Sequence, residues 1–336
     1  MKKATLALLT LLCWMNIAAA ATPVPETLIR PEVREFMDLR LGMFIHFGVN
    51  TYTDQEWTDG TVPATVVNPT ELDTDSWCAA AADAGMKYIV FTAKHHDGFC
   101  NWPSKYTDYS VKNSPCQQDI IASLATSCGK YGLKLGLYYS LWDRNFPHYQ
   151  DTYLYTEYMK NQLTELLTSY GEILLVWFDG AWDKFAGFKT KDGAQMMQQW
   201  RLEGAYNWQW DNIYATIKHL SPRCLVMNNS GIEFPGLPLL PTDVRTGERA
   251  TKESANKFIW DFGARANYLP MQIEDIASRR FWFYHRGDTT IKTTNQIKTL
   301  INDAQAMKAN LLLNVGPKEN GLLRQEDIEL LKTLKK

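Results

Sequence analysis

The sequence lacks several features that would assign it to a common functional class. Lysine plus arginine (35) and aspartate plus glutamate (37) nearly balance, so the chain shows no basic footprint for nucleic acid or anionic lipid. Six cysteines are present, and none forms a Cys-x-x-Cys pair or another metal-ligand spacing. The G-x-S-x-G, P-loop and G-x-G-x-x-G motifs are absent, which disfavours the usual serine hydrolase, nucleotide and dinucleotide chemistries. We therefore expect no cofactor and no nucleic-acid partner.

The N-terminus has the pattern of a secretory signal. Lys2 and Lys3 precede an apolar run over residues 4–17, which leads into a small-residue cleavage site at residues 18–20. The apolar run is shorter than the roughly 20 residues of a transmembrane helix. We predict a signal peptide over residues 1–20, one domain over the rest of the chain (21–336), no membrane span, and a periplasmic or extracellular location.

Export would place the five remaining cysteines in an oxidising compartment. An odd number leaves at least one of them without an intramolecular partner. Cys116–Cys128 is a candidate bridge, and buried free thiols are expected for most of the others.

Strand-like apolar runs alternate with helical patterns along the chain. The runs cover residues 42–48, 87–93, 133–140, 172–178, 223–228, 281–285 and 310–315, with a weaker one near 243–246. Helical patterns between them include 73–84, 117–131, 151–170, 210–220 and 294–307. Alternating strands and helices predict a parallel sheet, and eight strands predict a single (β/α)8-like TIM barrel.

Reactive and aromatic side chains collect where the runs end. Trp177-Phe178-Asp179-Gly180 ends the fourth run, His46 lies at the end of the first, and His95 and His96 follow the second. The carboxyl ends of barrel strands share one rim, where such enzymes keep their catalytic groups. Tyrosine and tryptophan are abundant (16 and 12) and suit stacking on sugar rings. Carboxylates in an aromatic pocket are typical of glycoside hydrolysis.

The His95-His96-Asp97 cluster also raises a metal-dependent hydrolase as an alternative. Adjacent residues at a strand end are expected to point in opposite directions, so one ion is hard to chelate with both rings. No His-x-His or His-x-x-x-His pair supplies the usual alternative. We therefore expect no metal site and interpret the histidines as donors to substrate hydroxyls.

The chain resembles glycoside hydrolase family 29, the retaining α-L-fucosidases, over roughly residues 33–320. The segments that carry the resemblance are Arg40 to Gly48, Glu56-Trp57, Phe91 to Phe99 with Trp102, Gly136 to Ser140, and Trp177 to Gly180. The stretch Ala-Lys-His-His-Asp-Gly-Phe is the most specific of them. The resemblance implies an exo-acting enzyme that hydrolyses terminal α-L-fucose from oligosaccharides or glycoconjugates through a covalent fucosyl-aspartate intermediate.

The resemblance also implies roles for individual residues. Asp179 would be the nucleophile. The fucose pocket would be lined by His46, Glu56, Trp57, His95, His96, Tyr139 and Trp177.

The acid/base position varies within this family, and three glutamates are candidates. The segment from Asp243 to Glu248 resembles the Asp-x-x-Thr-x-Glu segment that carries the acid/base in one branch, which favours Glu248. Glu233, after the fifth run, is the counterpart in another branch. Gln272 stands where the family usually shows a glutamate after Pro270, and Glu274 could substitute only if that loop shifts.

Three further expectations follow. The substitution at Gln272 keeps a catalytically impaired fucose-binding protein as the alternative function. The segment from Trp57 to Asp73 is closer to the branch that acts on α-1,3/1,4-linked fucose. The chain stops at Lys336, so we expect no C-terminal β-sandwich of the kind that many relatives carry.

Overall fold

Eight parallel strands close into a barrel in the computed structural model, which describes residues 29–184, 206–229, 240–251 and 269–335. The predicted TIM barrel is confirmed. In chain order the strands are β1 Leu41–Ile45, β2 Tyr88–Lys94, β3 Lys134–Ser140, β4 Ile173–Asp179, β5 Leu225–Asn228, β6 Val244–Glu248, β7 Met271–Ile276 and β8 Ala309–Val315. Each strand pairs with the next, and β8 pairs with β1, so the order around the barrel follows the sequence.

Helices follow most of the strands, and several begin with a side-chain cap. They cover Pro31–Leu39, Val49–Thr53, Thr74–Asp83, Ile120–Tyr131, Thr152–Ser169, Trp210–Leu220, Thr294–Ala306 and Gln325–Lys332. Asp73 and Asp151 accept backbone N–H bonds from the first turns of their helices, which satisfies donors that a helix start leaves without partners. Within the described ranges, no helix has the length and apolar character needed to cross a membrane.

One predicted strand is wrong. Residues 281–285 form a loop, and the seventh strand is β7, at Met271–Ile276. The aromatic run Phe281 to Tyr284 has high β propensity, but the N–H groups of Trp282 and Phe283 bond to the side chain of Glu56. β7 lacks an apolar run because its polar Gln272 and Glu274 face the barrel interior.

Side chains alternate between two layers along each strand. Those pointing inward fill the barrel around Phe44, Tyr138 and Trp177, whereas those pointing outward pack under the helices. A shift of one residue along a strand therefore moves a side chain from the barrel interior to the helix layer. The irregular segment predicted for residues 184–209 lies mostly outside the described residues.

Candidate active site

A cavity opens at the carboxyl ends of the strands. It is lined by Phe44, His46, Glu56, Trp57, His95, His96, Tyr138, Trp177, Asp179, Glu248, Arg249, Arg280 and Trp282. Of the described residues named as site candidates from the sequence, only Tyr139 and Glu274 do not line it. The lining side chains lie on β1, β3, β4 and β6 or in the segments that follow β1, β2, β6 and β7, as expected for the active rim of a barrel.

Tyr139 faces the helix layer, and Tyr138 takes its place in the cavity. On β3, Tyr138 aligns with Trp177 of β4, and Tyr139 aligns with the outward-facing Phe178. The Tyr139 hydroxyl donates to Gln162 Oε1 (2.6 Å) in the outer layer. The assignment of Tyr139 to the pocket is therefore corrected by one residue, since strand neighbours point to opposite faces.

Asp179 ends β4 and is held by donors on three sides. The Tyr138 hydroxyl donates to its Oδ2 (2.9 Å), and the Asn229 amide donates to its Oδ1 (3.2 Å). The Gly180 N–H also bonds to the carboxylate. These bonds favour the ionised form, but burial and the neighbouring Glu248 outweigh them and raise the pKa of Asp179 to about 7.

Glu248 ends β6 and faces Asp179 across the Asn229 amide. Asn229 Nδ2 donates to Glu248 Oε2 (2.9 Å) and to Asp179 Oδ1 (3.2 Å). Because one nitrogen reaches both carboxyls, their facing oxygens lie within about 6 Å of each other, closer than the roughly 6.5–9.5 Å between the carboxyls of inverting glycosidases. Burial raises the pKa of Glu248, which is the direction that a general acid requires.

The two other candidate acids have different placements. Glu233 lies outside the described residues. Glu274 is on β7, fully buried beneath the cavity, and burial raises its pKa to about 8. Its carboxyl accepts bonds from Trp177 Nε1 (3.1 Å), Gln272 Nε2 (2.8 Å) and the Gly247 N–H (2.9 Å). Glu274 therefore positions the Trp177 ring and the backbone just before Glu248, and it does not line the cavity.

For two cavity histidines, the hydrogen bonds show which ring nitrogen carries the proton. Asn314 donates through Nδ2 to the Trp282 carbonyl, so its Oδ1 must accept from His46 Nδ1–H (2.6 Å). Ser140 donates to the Trp142 carbonyl, so its oxygen accepts from His96 Nδ1–H (2.6 Å). Burial lowers the pKa of both rings to about 3. Neutral rings with a protonated Nδ1 present Nε2 as a hydrogen-bond acceptor. The expectation that the histidines donate to substrate hydroxyls is therefore wrong for His46 and His96, which offer acceptors.

His95 and His96 both line the cavity, contrary to the expected opposite directions. β2 ends at Lys94, and the following turn, closed by the bond from Gly98 N–H to the His95 carbonyl, releases both rings from strand alternation. Their centroids are 4.2 Å apart. Across the described ranges no group of three or more His, Cys, Asp or Glu side chains could hold a metal ion.

Glu56 anchors the loop that follows β7. Its carboxylate accepts from the N–H groups of Trp282 (2.9 Å) and Phe283 (3.1 Å), and it contacts His285 Nε2 (3.0 Å). These bonds place the Trp282 ring 5.2 Å from His46 at the cavity wall. Glu56 thus shapes the pocket through the loop, in addition to lining it.

A buried ion pair supports the turn that carries the histidines. Lys94 Nζ lies 2.8 Å from Asp143 Oδ2, both side chains are at most 1% exposed, and Lys94 lies 4.3 Å above the Tyr139 ring. Asp143 Oδ1 also accepts from the N–H groups of Asn145 and Phe146. In the Lys-His-His-Asp-Gly sequence, Lys94 therefore has a structural role, and His95 and His96 face the cavity.

We expect Lys94→Met to reduce the free energy of unfolding by about 3–5 kcal/mol, because it leaves the buried Asp143 charge without its partner. Lys160→Met is the matched control, since Lys160 pairs with Glu157 at the surface and should cost at most about 1 kcal/mol. Urea unfolding of both variants measures the difference. Equal shifts in the two variants would contradict a structural role for the buried pair.

Five cavity residues were not identified as site residues from the sequence: Phe44, Tyr138, Arg249, Arg280 and Trp282. Phe44 could have been found, because it lies two residues before His46 on β1 and shares its face. Trp282 and Arg280 were obscured by the incorrect strand at residues 281–285. Arg249 follows Glu248 directly, but nothing in its local sequence indicates where its side chain lies.

The five cysteines in the described part of the chain are free. Cys128 is buried beside Cys78, with their sulfurs 3.8 Å apart, whereas Cys116 is partly exposed elsewhere. The candidate Cys116–Cys128 bridge is therefore not formed. The structure instead makes Cys78 the neighbour of Cys128.

Comparisons with known proteins agree on one family. The family model described as Alpha-L-fucosidase matches residues 21–336. The chain is 34% identical over 303 residues to Alpha-L-fucosidase 1 of Arabidopsis thaliana, covering 87% of this chain and 56% of that protein.

Two solved structures are also similar. A glycoside hydrolase 29 family member from an unknown rumen bacterium is 31% identical with a TM-score of 0.75, covering 94% of this chain and 57% of that one. An alpha-L-fucosidase of the same family from Bacteroides thetaiotaomicron, trapped as a covalent intermediate, is 26% identical with a TM-score of 0.72, covering 91% and 74%. The chain thus spans little more than half the length of the Arabidopsis and rumen proteins.

Proposed function

Because this chain belongs to the alpha-L-fucosidase family, we propose that it is a retaining glycoside hydrolase that removes terminal α-L-fucose from glycans. The observation that carries the proposal is the Asp179–Asn229–Glu248 arrangement on the barrel rim. Two carboxyls joined by one amide can act as a nucleophile and an acid/base. The trapped covalent intermediate of the Bacteroides relative supports a covalent step.

The reaction would proceed in two steps. Asp179 attacks the anomeric carbon while Glu248 donates its proton to the departing glycosidic oxygen. Glu248 then takes a proton from water, whose oxygen displaces Asp179 from the sugar. Asp179 must be ionised to attack, and the three hydrogen-bond donors around it stabilise that form. Glu248 must carry the proton that it gives to the departing oxygen.

The cavity suits a 6-deoxy sugar. Phe44, Trp177 and Trp282 supply an apolar wall for the C6 methyl group. His46 and His96 present acceptors for sugar hydroxyls, and His96 Nε2 lies 3.6 Å from Asp179 Oδ2. Because both of these atoms are acceptors, a sugar hydroxyl between them would be well placed to donate.

The impaired fucose-binding alternative loses its support. It rested on Gln272, which is fully buried on β7 and bonds to Tyr88 (2.7 Å) and Glu274 (2.8 Å). Gln272 does not line the cavity, so it does not occupy the position of a missing acid.

We also propose α-1,3/1,4-linked fucose in branched oligosaccharides as the substrate, on the basis of the segment from Trp57 to Asp73. The experiment compares hydrolysis of 4-nitrophenyl α-L-fucoside with that of a branched α-1,3/1,4-fucosylated trisaccharide. Fucose release with a strong preference for the trisaccharide supports both the activity and the linkage. Preference for the aryl substrate contradicts the linkage alone, and no release from either substrate contradicts the activity.

Export is a further proposal. Residues 1–20, which lie outside the described residues, carry the signal pattern, and the mature enzyme would be periplasmic or extracellular. Mass analysis of the exported protein should find a chain that begins at residue 21. An intact N-terminus on cytoplasmic protein would contradict the proposal.

The pH dependence of kcat/KM should be bell-shaped. Activity falls in acid as Asp179 takes up a proton and in alkali as Glu248 loses one. Tyr138→Phe removes a donor that lowers the pKa of Asp179, so the acidic limb should move to higher pH by about one unit. Tyr139→Phe is the matched control, since it loses only a bond to Gln162 in the helix layer. An acidic limb that moves equally in both variants would rule out the proposed role of Tyr138.

A further inference from the structure

Two arginines at the mouth of the cavity have no carboxylate partner. Arg249 and Arg280 are exposed and line the cavity beside Glu248 and Trp282. No ion pair of the described part of the chain includes either of them, and the Arg249 charge acts on the Glu248 carboxyl without a direct bond to it. Glu56 is bound to the loop backbone and Glu248 to Asn229, and neither forms an ion pair with these arginines in the described part of the chain. Arg249 and Arg280 therefore place two guanidinium groups beside Glu248 at the mouth of the cavity.

The backbone holds these two residues together. Arg249 has φ +49°, in the left-handed region that costs a non-glycine residue free energy. Its N–H donates to the Glu274 carbonyl (2.7 Å), and its Nη2 donates to the Arg280 carbonyl (3.3 Å). The Arg249 guanidinium lies 5.7 Å from the centre of the Trp282 ring. A strained turn thus holds the Arg249 side chain against the loop that carries Arg280, and such strain concentrates at functional sites.

The position of the arginines identifies which part of a substrate they would meet. In the proposed mechanism Glu248 protonates the departing oxygen, so the sugar attached to fucose leaves on the Glu248 side. Arg249 directly follows Glu248, and Arg280 neighbours Arg249 through its carbonyl. Both lie at the exposed mouth, whereas Phe44, Tyr138 and Trp177 form the buried floor. The arginines therefore face the leaving part of the substrate.

We propose that Arg249 and Arg280 form a subsite for a negatively charged group, a carboxylate or a sulfate ester, on the glycan portion next to the fucose. This inference rests on the proposed function and specifies its substrate class. Guanidinium groups bind carboxylate and sulfate oxygens through paired, charge-assisted hydrogen bonds. An anion there would also offset the Arg249 charge, which otherwise lowers the pKa of Glu248 and opposes its role as the acid.

The test uses three matched substrates: a neutral α-fucosylated trisaccharide, the same trisaccharide with a sialic acid, and the same trisaccharide with a sulfate ester. At low ionic strength, kcat/KM of the wild type should be at least about tenfold higher for one or both anionic forms. The advantage should shrink at high salt. The preferred anion identifies carboxylate or sulfate as the recognised group.

Variants at neighbouring arginines make the test specific. Arg280→Gln should bring the anionic-to-neutral ratio of kcat/KM close to one, mainly through KM, and Arg280→Glu should reverse the preference. Arg279→Gln removes the same charge one residue away, where the side chain bonds to the Ile291 carbonyl (3.2 Å) and Gln296 (3.4 Å), and should keep the wild-type ratio.

The outcomes separate the subsite from the activity. Equal kcat/KM on neutral and anionic substrates, or a preference that survives in Arg280→Gln, would overturn the subsite while leaving the fucosidase activity intact. No fucose from any substrate, including an aryl fucoside, would overturn the proposed function and the subsite with it.

Discussion

Asp179→Asn is expected to lower kcat on every α-L-fucoside by roughly 10⁴-fold or more, the scale of loss when a covalent nucleophile is removed. The change is isosteric, and the amide oxygen can still accept from Asn229 while the new NH2 group donates to the Tyr138 hydroxyl oxygen. Stopped assays of fucose release with purified wild type and variant measure the effect. Substantial residual hydrolysis by Asp179→Asn would remove Asp179 from the mechanism.

Two companion variants identify the chemical role of Asp179. Asp179→Gly leaves space beside the sugar, so added azide should restore turnover and yield a fucosyl azide. Asp275→Asn is the matched control, because Asp275 also lies at the end of a strand but pairs with Lys292 (3.0 Å) outside the cavity. It should keep most of the activity. If added azide restored no turnover and gave no fucosyl azide, Asp179 would not be the nucleophile.

Glu248→Gln is expected to affect substrates according to their leaving groups. A sugar alkoxide needs protonation, so hydrolysis of the trisaccharide should fall by about 10²- to 10⁴-fold. 4-Nitrophenolate leaves without a proton, so its release in the first step should be much less impaired. The alkaline limb of the pH profile should disappear, because glutamine cannot lose the proton whose loss defines that limb.

Glu274→Gln is the control for Glu248→Gln. Glu274 has a pKa raised to about 8, so it is neutral near pH 7 and glutamine mimics its protonated form. Any loss should be similar for both substrates, because Glu274 acts on the position of Trp177 and not on the leaving group. If Glu248→Gln stayed fully active on the trisaccharide, Glu233 would become the acid to test by the same comparison.

Much of the barrel and its rim could be predicted from the sequence. The apolar runs of β1 to β5 and β8 are buried on both faces, so they stand out from the polar helices between them. Because all parallel strands end at one rim, the residues that follow them were expected to meet there. His46, Asp179 and Glu248 do meet in one cavity, although more than 130 residues separate His46 from Asp179 along the chain.

Polar interior strands and loops limited the prediction. β7 was missed since its inward Gln272 and Glu274 bond to Tyr88 and Trp177 and break the apolar pattern. The aromatic residues Phe281 to Tyr284 have the composition of a strand, but the Glu56 carboxylate accepts the backbone N–H bonds of Trp282 and Phe283. Both errors come from long-range hydrogen bonds, which leave no local trace in the sequence.

By itself, the sequence determined the alternation of strands and helices, the parallel barrel, and which strand ends carry reactive groups, because these depend on local periodicity and chain order. The tertiary structure decided that Tyr138 and not Tyr139 reaches Asp179, since the register between β3 and β4 sets which face each tyrosine takes. It also decided that Asn229 joins Asp179 to Glu248 and that Arg249 lies beside Arg280. Such contacts depend on distances across the barrel, and these exist only once the strands have closed.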